Sequence, residues 1–440
     1  MRLEKLRLEN FRCYEALDIG FDPQMTVIVG DNGKGKTAIF DAIAIAFAPF
    51  LEAFGQQGRK ISVKDIRRVL VKGDGVHIDR MERRYPVVIK LEAEGYGRHV
   101  SCTRTLVEGA AWENSEESIY AYGCALKEAV DKGEQVLLPC LAYYGTSRIW
   151  VDSSLLKHYD RSLEDRSVGY EECLEPSSSY NTFGKWFELL SRYTAEEYSQ
   201  DENFRRNQMI KNAVVQALNA CLKRLDFENL SYDFNLKTFV ISHKYMGEMI
   251  VDDLSDGFRS VISMAADIAY RMVRLNPFLE EKAVLETPGL VLIDEVDMHL
   301  HPRWQQTVLL DLKTAFPKVQ FVVTTHSPQV LSSVDAAGIR ILSWDEVTGT
   351  FEGVRCADFS LGANSYQLLQ DIQNVDPRPE ALPIVRDLGH YLKLVSEDKW
   401  DSPEALELRK KLDAWSCGKE PALLRADMDI RLRKFRRQRS

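Results

Sequence analysis

Leu6 and Leu8 alternate with Arg7 and Glu9, the period of two expected of a strand with one buried face. Phe11 to Phe21 reads as a turn followed by a second strand. Thr26 to Val29 is a short apolar run that predicts a strand, and Ala38-Ile39-Phe40-Asp41-Ala42-Ile43 predicts a helix behind it. Val87 to Glu92 and His99 to Val107 read as antiparallel strands, and Val136 to Tyr144 is another apolar run. From Phe183 to roughly Phe227 the pattern is helical, with Val214, Leu218 and Leu222 spaced by four. Phe234 to Ile241 and Met249 to Val251 predict a hairpin, and a helix runs from near Phe258 to Val273. Leu290 to Ile293, Gln320 to Thr324 and Ile339 to Leu342 are short strands. A helix from Arg303 to Phe316 joins the first two, with Trp304, Val308, Leu312 and Phe316 on one face.

Other stretches lack such periods. Residues 56–80 are polar and charged, and Glu164 to Ser179 is acidic and serine-rich, which predicts a mobile surface loop. No sustained heptad repeat appears, so no long coiled coil is expected. Asp376-Pro377-Arg378-Pro379 punctuates the region after Ala357, and helices follow.

The chain has 440 residues, 45% of them hydrophobic, enough for a sizeable core in two or three domains or in one domain with a large insertion. With 57 basic and 66 acidic side chains its net charge is −9, which excludes a wholly basic nucleic-acid wrapper but leaves room for a local basic groove. The final residues carry Arg431, Arg433, Lys434, Arg436, Arg437 and Arg439; a nucleic-acid or partner site and a solvated terminus are equal readings of them. None of the eight cysteines stands in a C-x-x-C pair, so a zinc cluster and a disulfide scaffold are not expected, and reduced thiols in the cytoplasm are. Met1-Arg2-Leu3-Glu4-Lys5 lacks the apolar core of a signal peptide. No membrane span is expected, because the apolar run Ile43 to Leu51 is short and broken by Pro49.

Four short segments carry chemistry. Gly30-Asp31-Asn32-Gly33-Lys34-Gly35-Lys36-Thr37 is a full G-x-x-x-x-G-K-[ST] match between a predicted strand and a predicted helix. Backbone N–H groups around Gly30, Asn32, Gly33 and Gly35 are suited to wrap a β-phosphate, Lys36 to reach the β- and γ-phosphates, and the Thr37 hydroxyl to ligate Mg²⁺. Leu290 to Glu295 is an apolar strand ending in two carboxylates. Asp294 is placed to hold Mg²⁺ through water and Glu295 to polarise the attacking water. Val322-Val323-Thr324-Thr325-His326-Ser327 is a strand with a polar end, from which His326 is a candidate sensor of the γ-phosphate. In Leu254-Ser255-Asp256-Gly257-Phe258-Arg259 the Ser255 side chain is expected to cap the next helix, whose N–H groups present partial positive charge to phosphate.

Together with Leu8-Glu9-Asn10-Phe11-Arg12, these segments stand in the order found in ABC-type ATPases, and the chain resembles the soluble branch that includes the SMC and RecF proteins and the OLD-like enzymes. The resemblance implies an α/β fold, an ABC-type P-loop ATPase head with a mixed sheet. Its N-terminal lobe would span residues 1–150, a helical insertion 151–245, the C-terminal lobe 246–356, and a C-terminal helical, partner-binding region with the basic tail 357–440. It implies ATP and Mg²⁺ as cofactors, and two heads that sandwich two nucleotides, so that Ser255 and Gly257 act in trans. It places Asp297 at the head interface and Arg12 near the nucleotide. Asp256 stands where the family usually has glycine.

Asp294 to Gln306 and Thr324 to Leu331 look most like the PtuA-type ATPase subunit of the bacterial Septu anti-phage system, a type also found beside retrons. That resemblance implies a homodimer or higher even oligomer working with an HNH-type nuclease and, in retron-associated forms, with a reverse transcriptase and its DNA product. DNA contact by this chain is also compatible with it. A RecF-like DNA repair or loading ATPase is the alternative. No nuclease motif of its own stands out: Asp427-Met428-Asp429 is a D-x-D pair in a charged helical context. Tyr143-Tyr144-Gly145-Thr146-Ser147-Arg148 lies where the family couples the nucleotide site to its mobile lobe, though without the usual glutamine. Arg148 has two equal readings, a contact to phosphate or a neighbouring subunit, and a structural salt bridge.

Overall fold

Strands buried on both faces read as unbroken apolar runs rather than as alternating ones. Four such strands, Cys140–Tyr144, Gly289–Ile293, Val319–Thr324 and Met25–Val29, are buried at every residue and lie side by side in parallel. Ile339–Asp345 continues the parallel set beyond Met25–Val29, and Thr350–Arg355 closes that edge antiparallel, giving a six-stranded mixed sheet. The computed structural model describes residues 1–71, 80–109, 113–115, 118–146, 165–176, 181–195, 202–345 and 350–437.

The alternating segments build a second sheet. Tyr14–Gly20, Arg2–Phe11, Val87–Gly95, Arg98–Leu106 and Glu113–Ser115 pair antiparallel in that order. In Val87–Gly95 every second residue is buried, as a one-sided sheet requires. Helix Lys36–Ala53 touches three of these strands and is buried almost all the way round, which suits a sequence that is apolar on every face. Pro49, expected to break the apolar run, sits inside this helix, which continues to Ala53. Burial of Phe50 and Leu51 holds the last turn against the loss of one backbone donor.

Helices Asn181–Ala195 and Glu202–Leu222 occupy the expected helical stretch, and Asp256–Leu275 extends the helix expected from Phe258. The expected hairpin gains a strand: Phe227–Asp233, Thr238–His243 and Gly247–Ile250 form a three-stranded antiparallel sheet.

Two expectations need correction. Glu164 to Ser179 is not a mobile surface loop where it is described. Tyr170 and Cys173 are buried, the Tyr170 hydroxyl donates to Pro139 O at 2.9 Å, and Arg166 Nε donates to Leu275 O at 2.7 Å. The polar letters there serve local caps, such as Asp165 accepting from Ser167 N at 2.9 Å. The single helix expected over Arg303–Phe316 is two pieces, Pro302–Gln305 and Val308–Ala315. Thr307 N bonds Trp304 O at 3.0 Å, a tight turn that closes the first piece before the second begins.

The chain divides into two compact units, Met1–Leu368 and Leu369–Ser440. In the second unit helices Pro383–Ser396, Pro403–Ser416 and Pro421–Arg437 pack around Leu388, Tyr391, Leu412 and Leu423. Asp427 pairs with Arg409 and Asp429 with Arg433, so the D-x-D pair is spent on ion pairs. No disulfide joins the cysteines, and no described helix is long and apolar enough to cross a membrane.

Candidate nucleotide site

Three neighbouring parallel strands deliver the site. Met25–Val29, Val319–Thr324 and Gly289–Ile293 end at the same edge, and their following residues carry the glycine-rich loop, His326 and Asp294 respectively. The crevice beyond the carboxyl ends of such strands is the usual ligand position in an open α/β sheet.

The loop backbone needs its glycines. Gly33 and Gly35 have φ of 82° and 84°, the left-handed region that side chains avoid. A Cβ on Gly35 would also lie 2.4 Å from Cys13 Sγ and 2.6 Å from the Tyr14 hydroxyl oxygen. That hydroxyl donates to Lys34 O at 2.9 Å and fastens the loop to the neighbouring sheet. Lys36 Nζ donates to Gly30 O at 2.8 Å and Asp31 O at 3.2 Å, and lies 2.7 Å from His326 Nε2. An ammonium has only donors, so Nε2 accepts and the ring proton sits on Nδ1. Burial lowers the Lys36 pKa, and the charges of Asp294 and Glu295 offset this only in part.

Thr37 Oγ1 donates to Asp294 Oδ2 at 2.6 Å, and Thr324 Oγ1 donates to Asp294 Oδ1 at 2.5 Å. Asp294 N donates to Tyr144 O at 2.8 Å, and Glu295 N donates to Thr324 Oγ1 at 2.7 Å. Glu295 has φ of 47°, a conformation that costs a non-glycine residue and turns its carboxylate off the strand direction. Arg12, Asn32, Gly33, Lys36, Thr37 and Glu295 line a cavity of about 330 Å³. Its contents fit a nucleoside triphosphate: a cradle opened by glycines, one lysine, and a hydroxyl facing a carboxylate. Magnesium fits too, since it usually takes only one or two protein oxygens beside phosphates and water.

Arg12 lines this cavity but is committed to carboxylates. Its NH1 is 2.7 Å from Asp41 Oδ2, and its Nε and NH2 donate to Asp65 Oδ1 at 2.9 and 2.7 Å. Burial acts to lower the Arg12 pKa, but Asp41 and Asp65 outweigh it and the net shift is upward. Burial likewise acts to raise the Asp65 carboxyl, but bonds from Ser62 and Arg12 hold it below the ordinary value. Arg59 adds a bond to Asp41 at 2.5 Å. Sequence reading missed this cluster, because Asp41, Arg59 and Asp65 stand in no shared motif.

Tyr143 opens the segment expected to couple the nucleotide site to a mobile lobe, and its side chain packs behind the site. Its buried hydroxyl has no hydrogen-bond partner among the described residues, and its ring meets Phe40 edge-on at 5.7 Å between centroids. Burial raises its pKa, and the charges of Asp41 and Asp294 raise it further. The next residue faces the other way: the Tyr144 hydroxyl donates to Asp267 Oδ2 at 2.7 Å, and Arg271 Nε donates to the same oxygen at 2.8 Å. The Asp294 strand is thereby tied, through Tyr144, to helix Asp256–Leu275.

Ser255 and Gly257 begin that helix and do not line the cavity. The expected cap is corrected: the Ser255 side chain makes no capping bond, and the first turn is held by Arg259 N to Ser255 O at 3.1 Å and by the Asp256–Arg259 ion pair. Gly257 has a packing role within its own chain, because a Cβ there would lie 2.3 Å from His299 O. Asp297 accepts from Thr325 Oγ1 at 2.5 Å. Arg148 lies outside the described residues.

Two family models match the chain, one described as an AAA domain over residues 5–136, the other as an AAA domain, putative AbiEii toxin, Type IV TA system, over residues 148–332. The Retron Ec83 probable ATPase of Escherichia coli is 27% identical, covering 98% of this chain and 87% of that protein. The Retron Vc95 probable ATPase of Vibrio cholerae is 25% identical, covering 93% of this chain and 86% of that protein. Septu protein PtuA of Bacillus mycoides is 25% identical over 78% of this chain and 41% of its own length. With the phosphate loop, the acidic strand end and the histidine joined in one crevice, the chain is an ATPase with AAA domains, similar to the retron ATPases and to PtuA.

Proposed function

We propose that this ATPase is the nucleotide-driven subunit of a bacterial anti-phage defence complex working in the cytoplasm. ATP lies with its phosphates in the loop from Gly30 to Thr37. Lys36 exchanges its carbonyl contacts for the β- and γ-phosphates, and His326, released from Lys36 and with its ring proton moved from Nδ1 to Nε2, donates a hydrogen bond to the γ-phosphate. Thr37 and Asp294 would hold Mg²⁺, which would neutralise phosphate charge. Glu295 orients the attacking water. Such chemistry is mostly positioning and electrostatics, which suits a site whose carboxylates are already fixed by Thr37 and Thr324.

The site is completed by a second copy, whose Ser255 and Gly257 close over the nucleotide. Two facts support this: both residues sit outside the cavity of their own chain, and Ser255 has a side chain not used as a cap. The paired heads then restrain or release an HNH-type nuclease, and in a retron setting also hold a reverse transcriptase with its DNA product. The carrying observation for the defence reading is the match to a retron ATPase across 98% of this chain.

Purification with the products of neighbouring genes, followed by mass measurement with and without ATP, tests it. An even number of copies with a bound nuclease is expected. ATPase activity stimulated by duplex DNA, in a chain that binds none of those products, would favour the RecF-like repair reading instead.

A further inference from the structure

The turn that follows Glu295 holds His326 from both flanks. On one side Thr325 Oγ1 donates to Asp297 Oδ1 at 2.5 Å, and Ser327 N donates to the same threonine hydroxyl at 3.0 Å. On the other side the tie runs through Gln305. Its Nε2 donates to Leu300 O at 2.9 Å and to Asp297 O at 3.4 Å, and its Oε1 accepts from Ser327 Oγ at 2.8 Å. Backbone carbonyls only accept and an amide nitrogen only donates, so these partners fix the orientation of the amide.

The local fold puts the amide there. His301 Nδ1 accepts from Arg303 N at 3.2 Å, and Pro302 opens the short helix Pro302–Gln305. Helical side chains lean toward the N-terminus, which returns Gln305 to the turn the chain has just left. That turn is itself fixed. Met298 N donates to Glu295 O and Leu300 N to Asp297 O, each at 3.0 Å, and Gly257 packs against His299 O.

Ser327 has a second task. Its Oγ caps helix Pro328–Leu331 by accepting from Gln329 N at 3.1 Å and Val330 N at 3.4 Å. Its one proton has another acceptor, Gln329 Oε1, at 3.3 Å. Without the Gln305 amide that proton can turn to Gln329, and the cap survives. What is lost is the tie between the segment carrying His326 and the turn after Glu295.

We propose that Gln305 is a positioning residue for hydrolysis. Its amide locks Ser327, and with it His326, to the turn at 295–300, so that the γ-phosphate contact and the attacking water share one frame. The inference rests on the reading in which His326 bonds the γ-phosphate and Glu295 orients water. Lys36 holds the triphosphate independently of this tie, so Gln305 acts on the chemical step and not on nucleotide affinity.

The test is single-turnover ATP hydrolysis by the full chain, at a protein concentration where the rate per chain no longer rises, beside equilibrium binding of a fluorescent ATP analogue. Gln305→Met keeps the length of the side chain and removes both ends of the amide. It should bind the analogue as wild type does and hydrolyse roughly ten- to a hundredfold more slowly, the range for losing a group that orients an active-site side chain. In a His326→Ala background the same substitution should change the rate by less than about twofold, because its effect passes through the histidine. Gln305→Glu gives a second measure, which decides the matter if Gln305→Met does not fold. Its carboxylate accepts from Ser327 but repels the two carbonyls, whereas the protonated acid supplies donor and acceptor together. The ratio of its rate to that of wild type should rise severalfold from about pH 8 to about pH 6. Three results would each overturn the proposal while leaving the roles of Lys36 and Glu295 intact: an equal penalty for Gln305→Met with and without His326, a loss of affinity that matches the loss of rate, or a flat pH ratio for Gln305→Glu. Full activity in His326→Ala would instead remove the reading beneath it, and the proposal with it.

Discussion

Lys36 Nζ lies 2.7 Å from His326 Nε2, although the two residues are 290 apart in sequence. The contact exists because Met25–Val29 and Val319–Thr324 are parallel neighbours and both chains leave the sheet at the same edge. It holds the lysine at the mouth of its own loop and sets the histidine tautomer. Nucleotide must break this contact, so the two side chains should show different kinetic signatures when removed.

Lys36→Ala should weaken ATP binding by roughly ten- to a hundredfold, the size expected for lost hydrogen bonds to a charged group. His326→Ala should leave ATP affinity nearly unchanged and lower kcat by ~10²-fold, as for a lost donor to developing charge. Equilibrium binding of a fluorescent ATP analogue and single-turnover hydrolysis separate the two. Equal effects of both variants on binding would contradict these roles.

The lowered pKa of Lys36 gives two pH dependences of opposite sign. ATP affinity should decline on the alkaline side at a pH below the ordinary lysine value of 10.5, because the ammonium is needed. Stability of the nucleotide-free protein should gain from Lys36 across the window between the lowered value and 10.5, since there the unfolded chain binds more protons than the folded one. Titrations of affinity and of urea midpoint, each compared with Lys36→Met, check both signs.

Glu295 occupies a left-handed conformation at φ 47°. Glu295→Gly should raise stability by roughly 1 kcal/mol by relieving that strain, while removing hydrolysis. Glu295→Gln should keep the strain and the fold, slow turnover, and accumulate paired heads with bound ATP. Denaturant unfolding and steady-state phosphate release distinguish the variants. Normal turnover in Glu295→Gln would rule Glu295 out as the residue that orients water.

Ser255 and Gly257 should part company. Ser255→Arg is expected to leave the melting temperature and ATP binding by one head unchanged but to block hydrolysis. Gly257→Ala should lower stability by about 2 kcal/mol or more, because its Cβ would lie 2.3 Å from the backbone oxygen of His299. Calorimetry alongside hydrolysis assays tests the pair.

Tyr143→Phe removes a buried hydroxyl that has no partner among the described residues. Its desolvation is uncompensated, so the variant should be more stable by about 1 kcal/mol. A loss of stability would show that the hydroxyl has a bond in solution.

The chemistry was legible in the sequence wherever the motif and its carrying strand were contiguous. The loop from Gly30 to Thr37 and the strand end at Asp294 and Glu295 identify themselves by residue type, and the parallel sheet brings them together. What sequence could not show is held by tertiary contacts. Arg12, Asp41, Arg59 and Asp65 meet only because the Phe11–Ile66 bridge folds the segment after the loop helix back to the first strand. Tyr143 and Tyr144 look alike in sequence, but alternation along the strand sends one toward Phe40 and the other toward Asp267. The polar stretch around Asp165 to Pro176 reads as a loop by composition. It is fixed by Tyr170 and Cys173, whose burial depends on partners far away in sequence.

Specific ATPase activity as a function of protein concentration tests the two-copy site most directly. If Ser255 and Gly257 of a second copy complete the site around Lys36 and Glu295, the rate per chain falls on dilution and recovers on concentration. A rate per chain that stays constant down to dilutions where only single chains are present would contradict it.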